Sequence, residues 1–351
     1  MNDHPISRRT ILKAGAALAG ALALGKHPLL AETRGMPERP TLVVLWLNGG
    51  PAGLFNSADS FLSSGGFGVT ADNVRHLGNG LCVDAGSLGA LPSVALAHMA
   101  SIDFRHGLYP HPDARAAMLE SGSRSRLLRM AAAMPGAAAR CVVVNSLGLP
   151  VGVTATPPAE NRIALKRCIN FDDAHVHLPA GQLEDIRNAY GVPAGNTAVD
   201  SQRSTFAAVE AMIHAGVGVI FAQPAYTGRT DRQFDTHHDD AGTVARDIMA
   251  PITPSLVTFL DRVMALPQRN VVTLLTGEFS RTLPSSDHAP GGTATVIGKY
   301  VKTGTAGRQG PGGSPPEHAS PPEGLWAYLA AALRLDSPAP FGRNPHRELL
   351  A

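Results

Sequence analysis

The chain has 351 residues, 44% of them hydrophobic and 17% charged, and a formal net charge of +2. This length and hydrophobicity suffice to bury one large core or two smaller ones, and we favour a single α/β domain. After the N-terminal segment, no stretch approaches the run of about 18 apolar residues that predicts a membrane span. No Lys/Arg cluster interleaved with aromatic residues indicates a nucleic-acid partner.

The N-terminal segment SRRTILKAGAALAGALALG, residues 7–25, is typical of a twin-arginine export signal. Arg8 and Arg9 precede an Ala/Gly/Leu stretch that is too short and too weakly apolar to span a bilayer as a stop-transfer helix. Because such a signal is an address read by a receptor, it predicts the twin-arginine translocase as a partner. The predicted destination is the periplasm or the extracellular side of the membrane.

Leu29-Leu30-Ala31 is an approximate cleavage site, which places the signal peptide at residues 1–31 and the mature domain at 32–351. Retention of the segment as an uncleaved anchor is the alternative. Removing residues 1–31 takes away four basic residues and one acidic residue, so 30 basic and 28 acidic residues become 26 and 27. The mature chain is therefore close to neutral.

Four continuous apolar runs predict buried strands: TLVVLWL (41–47), CVVVNS (141–146), VGVIFAQ (217–223) and VVTLLT (271–276). Strands that are apolar on both faces usually belong to a parallel sheet covered by helices. Cys141 is expected to be a buried thiol in the second run. A disulfide between Cys82 and Cys168 is an alternative that an oxidising compartment would allow.

The segments between these runs predict helices that begin near residues 112, 204 and 239, with a further helix over 324–335. Pro251 and Pro254 should break or kink the third helix. Residues 53–100 and 147–200 contain no long periodic element, and 303–324 is a low-complexity loop. The order of elements predicts a mostly parallel central sheet flanked by helices, with long Gly/Pro-rich loops.

Polar residues follow each apolar run, and the carboxyl ends of parallel strands share one edge of the sheet, where ligands bind. The segments expected there are Asn48-Gly49-Gly50, Arg105 to Asp113 (with His106, Tyr109 and His111) after the short run SIDF at 101–104, Gln233 to Asp240, and Gly277 to His288. The stretch FDTHHDD at 234–240 has five carboxylate or imidazole side chains in seven residues. Such mixtures bind Zn²⁺ or Mn²⁺, and Mg²⁺ or Ca²⁺ with more oxygen ligands. A His-rich helix cap with Asp at its N-terminus is the alternative.

The polar motifs between residues 234 and 288 resemble those of a known protein family. FDTHHDD, then VVTLLTGEFSRT, then Asp287-His288 is similar to the W-D-T-H, S-E-F-G-R-T and G-x-D-H-G pattern of the DUF1501 family of secreted bacterial proteins. VVLWLNGGPAGLFN and HGLYPHPDARAAMLESG resemble that family's opening strand and helix-capping segment. The family is similar to the alkaline phosphatase and sulfatase superfamily, which implies an alkaline-phosphatase-like fold with divalent metals at the carboxyl edge of the sheet.

The resemblance implies that the metal ligands are Asp235, His237, Glu278, Asp287 and His288. Arg281 would orient Glu278 or clamp an anionic substrate, because a guanidinium matches phosphate and sulfate bidentately. A purely structural ion pair between Arg281 and Glu278 is the alternative. His111 is the second candidate catalytic residue, because it occupies the region where the superfamily has its nucleophile.

The sequence also departs from the superfamily at two places. Ala52 stands in the glycine turn where a ligand Asp is expected. The segment from His106 to Ala117 has no Ser, Thr or Cys to act as the nucleophile. The chemistry would therefore use a metal-activated water, or catalysis has been lost.

Two functions follow from these patterns. The first is a divalent-metal-dependent hydrolase of phosphate or sulfate esters. The second is a non-catalytic periplasmic or surface protein on the same fold, with a degenerate metal site, that binds a glycan or a partner. A Ser-His-Asp esterase is weaker because the chain has no G-x-S-x-G elbow. His175 and His177 form another candidate ligand pair that a polar loop explains as readily.

Overall fold

A computed structural model describes residues 38–51, 65–135, 141–146, 150, 165–171, 178–179, 181–227, 233–310, 312–335 and 339–351. The signal segment, Ala52 and the pair His175 and His177 lie outside the described residues. The chain divides into two units, Met1–Glu38 and Arg39–Ala351, and the elements below belong to the second. The predicted boundary at residue 32 stays a prediction. Within the described part of the chain, no helix is long and apolar enough to cross a membrane.

The centre of the fold is an eight-stranded sheet with the strand order β12-β4-β11-β10-β1-β9-β7-β8. Its strands are β1 Arg39–Trp46, β4 Met99–Arg105, β7 Cys141–Val144, β8 Leu165–Cys168, β9 Val219–Ala222, β10 Arg269–Thr276, β11 Gly291–Gly298 and β12 Gly304–Ala306. Two hairpins stand apart from it, β2 Val74–Gly78 with β3 Leu81–Asp84 and β5 Glu120–Ser121 with β6 Arg124–Ser125.

The sheet is mostly parallel, as predicted. β1 lies between β10 and β9 and is parallel to both, with Leu42 beside Val272 on one side and Val219 on the other. β11 is antiparallel to both of its neighbours, β10 and β4. Two antiparallel steps restore the direction, so β4 ends at the same edge of the sheet as β1 and β10.

Helices cover both faces of the sheet. They are α1 Ser93–Leu96, α2 His111–Leu119, α3 Arg126–Ala133, α4 Gln182–Ala189, α5 Gln202–His214, α6 Thr243–Met249, α7 Thr253–Met264 and α8 Pro322–Ala332. Alternate residues of β1 face opposite cores: Val43 and Leu45 pack with α1 and α4 to α7, whereas Leu42 and Val44 pack with α2, α3 and α8. This burial on both faces explains why the strand is apolar at every position.

The predicted helices exist, but two of them are interrupted. The segment from residue 112 forms α2 and α3 because Gly122, with a φ of 63°, turns the chain through the β5–β6 hairpin. Ser125 then caps α3 by accepting from the Leu128 N–H at 3.3 Å. Between α6 and α7 the helix breaks near Pro251, and Pro254 lies in the first turn of α7, where its missing N–H costs nothing.

Several details differ from the sequence predictions. β11 was not predicted, because Gly291-Gly292 has the composition of a loop. The loop predicted over 303–324 contains β12 and the start of α8. The disulfide alternative was wrong: Cys82, Cys141 and Cys168 are all buried, and none of the three is disulfide-bonded. Burial raises the pKa of the Cys141 thiol to about 12, so the buried-thiol prediction for that residue is confirmed.

Candidate metal centre

The polar segments expected to meet do meet, at the carboxyl edge of the sheet. Asn48 and Gly49 follow β1, and Glu278 follows β10. The loop after β9 contributes Asp235, and His111 begins α2 shortly after β4. They converge because strands that run in the same direction end at the same edge of a sheet.

The glycine turn after β1 lets two loops approach the sheet closely. Gly49 and Gly50 have φ values of 98° and 83°, which favour glycine. A Cβ at Gly49 would lie 2.5 Å from the backbone nitrogen of Asp235, and one at Gly50 would lie 2.5 Å from the ring of Phe279. The two glycines therefore provide both the turn and the room for the site.

The ring of His111 is held by the buried carboxylate of Glu278. Nδ1 of His111 lies 2.8 Å from Oε1 of Glu278, which also accepts from the Gly49 N–H at 3.1 Å. Because a carboxylate can only accept, Nδ1 carries the proton, and in the neutral imidazole Nε2 then keeps its lone pair. That Nε2 is buried without a hydrogen-bond partner and lies 3.5 Å from Oδ1 of Asp235. An outer carboxylate commonly fixes the tautomer of a metal-binding histidine in this way.

His288 presents its free nitrogen to the same carboxylate. Nδ1 of His288 lies 2.8 Å from the carbonyl of Tyr109, so this nitrogen donates and Nε2 keeps the lone pair. Nε2 is buried without a partner, 3.8 Å from Oδ1 of Asp235. The ring stacks on Phe279 with centroids 4.4 Å apart. Burial, followed by the charge of Arg281, lowers the pKa of His288, which favours the neutral imidazole that binds metals.

Asp235 is the carboxylate on which these nitrogens converge. Burial opposes its ionisation, but the hydrogen bond and the charge of Arg281 outweigh burial and lower its pKa below the ordinary value. Its Oδ1 accepts from Arg281 at 2.7 Å. Asp235 is therefore ionised at neutral pH and can serve as an anionic ligand.

The donor atoms of His111, Asp235 and His288, here called the His111 triad, lie within 4.8 Å of one another. Tetrahedral ligands at about 2.1 Å from a zinc ion are separated by about 3.4 Å. The separations of 3.5 Å and 3.8 Å from the two imidazole nitrogens to Asp235 are close to that value. This spacing is compatible with a divalent ion, and the two imidazoles favour Zn²⁺ over Mg²⁺ or Ca²⁺.

A second set, the His237 triad, consists of His237, Asp287 and His288. It is more open, because the side chains of His237 and Asp287 are 43% and 63% exposed. A hydrogen bond from the His288 backbone N–H lowers the pKa of Asp287. The two triads share His288, which has one free nitrogen, so that nitrogen can serve only one of them. The His111 triad is the better ordered of the two, because hydrogen bonds orient both of its imidazoles.

Arg281 lies under the site and has a fully buried side chain. Its guanidinium donates to the carbonyls of Gly49 and Gly50 and, at 3.3 Å, to that of Ser286, in addition to Asp235. These contacts tie the glycine turn, the Asp235 loop and the 281–288 turn together. The orienting role expected of Arg281 therefore applies to Asp235 rather than to Glu278.

The structure changes the roles suggested for several predicted residues. Four of the five predicted ligands lie in the triads: Asp235, His237, Asp287 and His288. Glu278 is instead the hydrogen-bond partner of Nδ1 of His111. His111, which was predicted to be catalytic, contributes a donor atom to the His111 triad. Within FDTHHDD, Asp239 does what the alternative hypothesis expected of an Asp at a helix N-terminus. It accepts from the N–H groups of Val244 and Ala245 at 3.1 Å and 2.9 Å, although the N-cap position of α6 is Gly242.

Sequence reasoning missed Arg115 and Phe279. Arg115 lies one helical turn after His111, so the i, i+4 spacing on α2 was the signal that could have found it. Its Nη2 donates to Oδ1 of Asn48 at 2.6 Å, and its side chain is 34% exposed. Phe279 lies inside the resembling motif but is buried as the stacking partner of His288.

The fold and the site together define an α/β protein with a candidate metal centre at the carboxyl edge of a mostly parallel sheet. Residues 5–25 match the model of the TAT (twin-arginine translocation) pathway signal sequence. The chain is therefore exported by the twin-arginine translocase to the periplasm or the extracellular space. A comparison with curated proteins finds no match to this chain.

Proposed function

We propose that this exported chain is a divalent-metal-dependent hydrolase of phosphate or sulfate esters, with the His111 triad as its metal centre. The supporting observation is the pair of buried imidazole nitrogens without partners that converge on one carboxylate oxygen. A bound Zn²⁺ or Mn²⁺ would supply a Lewis acid that polarises an ester oxygen and activates water at neutral pH. The resemblance to the DUF1501 family and to the alkaline-phosphatase-like fold belongs to the same proposal.

The residues around the triad have distinct roles in this proposal. Glu278 and the carbonyl of Tyr109 hold the two imidazoles in the tautomer that leaves Nε2 free. His237, partly exposed and 3.2 Å from Asp235, is placed to take a proton from the attacking water. Arg115 would meet the anionic group of the ester, because the donors of Arg281 are already occupied.

The alternative is a non-catalytic periplasmic or surface protein that keeps a degenerate metal site and binds a glycan or a partner. The observation that favours it lies at the start of α2, where the superfamily has its nucleophile. That position is His111, whose ring is held by Glu278. The proposal therefore depends on direct attack by water and has no covalent intermediate.

The first experiment measures the metal content of the exported protein by plasma mass spectrometry. We expect about one equivalent of a divalent metal, abolished in His111→Ala and retained in the matched variant His237→Ala. Glu278→Gln should weaken metal affinity about 10- to 100-fold, because it removes the charge that orients His111. Circular dichroism checks that each variant is folded.

Turnover of aryl phosphates and aryl sulfates is then measured on the metal-loaded protein. Hydrolysis that is lost in His111→Ala supports the proposal. Bound metal without hydrolysis of either ester class favours the binding protein. A folded wild-type protein that takes up no Zn²⁺ or Mn²⁺ contradicts the metal centre itself.

A further inference from the structure

A cavity of about 350 Å³ lies far from the candidate metal centre, between α8 and the last residues of the chain. α8 begins beside the carboxyl edge of the sheet, where Ser320 pairs with Phe104. It ends near the opposite edge, where the carbonyl of Ala332 accepts from Asn270 at 2.9 Å. Because the cavity is lined by the second half of α8, it lies toward that opposite edge.

One wall of the cavity is apolar. Ala327, Ala330 and Ala331 contribute to it from one face of α8, at the i, i+3 and i+4 spacing that places helix residues side by side. Leu335 and Leu350 extend this wall. The small alanine side chains on this face of α8 leave space that larger residues would fill.

The other wall carries positive charge. Arg343 and Arg347 line the cavity and are exposed, and neither forms an ion pair with any residue that the structure describes. Between them in sequence, Asn344 is 7% exposed. Its Oδ1 accepts from the His346 N–H at 2.9 Å, which fixes the orientation of the amide. The Nδ2 group is buried without an acceptor.

A buried amide N–H without an acceptor is uncommon in native proteins, and such a donor is usually satisfied by water or a ligand. Here it accompanies two guanidinium groups, which bind carboxylate and phosphate oxygens through paired hydrogen bonds. The cavity volume, at roughly 30 Å³ for each water-sized group, accommodates about a dozen non-hydrogen atoms. This is near the lower limit for small-molecule sites.

We propose that this cavity, here called the α8 cavity, is a binding site for a small amphipathic anion: a carboxylate with an alkyl chain of about six to eight carbons. The alkyl chain lies on the alanine wall. The carboxylate accepts from Asn344 Nδ2 and from the two arginines at the mouth. This site is separate from the proposed metal centre and does not depend on it.

The test is a calorimetric titration of the exported full chain with octanoate. We expect a submillimolar dissociation constant, weakened about tenfold or more in the double variant Arg343→Gln/Arg347→Gln. The matched control is Arg334→Gln, which also removes a positive charge near the end of α8. Its guanidinium stacks on Tyr300 and does not line the cavity, so affinity for octanoate should stay within about twofold of wild type.

Two further probes separate the head group from the chain. Octanol, which lacks the charge, and acetate, which lacks the chain, should each bind at least about tenfold more weakly than octanoate. Ala331→Leu should block octanoate binding by filling the cavity, and its unchanged melting temperature would show that the fold is intact. Undetectable octanoate binding overturns the proposal. Equal affinity for octanol and octanoate also overturns it, as does octanoate affinity that changes neither in the arginine double variant nor in Ala331→Leu.

Discussion

Arg281→Met tests whether the arginine beneath the metal centre is a structural residue. Its guanidinium donates to three carbonyls, those of Gly49, Gly50 and Ser286, and to the carboxylate of Asp235. Methionine keeps much of the apolar length of the side chain but removes every donor. The substitution thus leaves several acceptors without their partner inside the fold.

The expected cost is large. A buried acceptor that loses its partner costs about 1–3 kcal/mol, and neighbouring losses are not additive. The side chain of Asp235 is 37% exposed, so water screens its pairing with Arg281 and most of the cost falls on the three carbonyls. We expect a loss of about 3–5 kcal/mol, a large part of a typical unfolding free energy of about 5–15 kcal/mol. At about 2–4 °C per kcal/mol, the melting temperature should fall by about 10 °C.

The assay compares urea and thermal unfolding of Arg281→Met with those of Arg115→Met. Arg115 also lies beside the centre, but it is partly exposed; its Nη2 donates to the side chain of Asn48 and lies 3.6 Å from Oε1 of Glu278. Loss of this hydrogen bond and of the ion pair should cost about 1–2 kcal/mol. A change below about 2 °C for Arg281→Met, together with lost binding of phosphate to the metal-loaded protein, would refute this reasoning and assign the guanidinium to the substrate.

Two more predictions concern other carboxylates. Burial raises the pKa of Asp103 to about 7, against a hydrogen bond from Thr293 that lowers it, so the folded state binds a proton that the unfolded state releases. The contribution of Asp103 to stability is thus present below about pH 4 and is lost as pH rises to about 7, by at most about 4 kcal/mol. In urea unfolding, Asp103→Asn should therefore stabilise the protein relative to wild type more at pH 8 than at pH 5. An equal difference at the two pH values would contradict the raised pKa of Asp103. Asp239→Ala removes the carboxylate that accepts from the Val244 and Ala245 N–H groups at the start of α6, so the free energy of unfolding should fall by about 1 kcal/mol. The metal content should not change, because Asp239 does not face the triads. Loss of metal in a folded variant would show that Asp239 is a ligand.

Local sequence patterns were sufficient for the sheet strands that are buried on both faces. The apolar run at 41–47 predicted β1, and the run at 271–276 predicted most of β10. A strand that is buried on both faces is apolar at nearly every position, which makes it easy to recognise in the sequence. β11 was not predicted, because Gly291 and Gly292 at its start weaken the strand pattern. Those glycines are required by packing: a Cβ at Gly291 would lie 2.1 Å from the carbonyl oxygen of Phe104 in the neighbouring strand.

The sequence by itself determined that the chain is exported and which polar segments follow the strands, because the signal and the strand ends are local features. Only the tertiary structure decided what each polar residue does. Glu278 and Asp235 are both acidic residues in motif positions, yet one is buried behind His111 and the other receives two free imidazole nitrogens. That difference arises from the glycine turn and from Arg281, which connect loops distant in sequence. The role of a carboxylate depends on which groups face it, and those contacts exist only after the chain has folded.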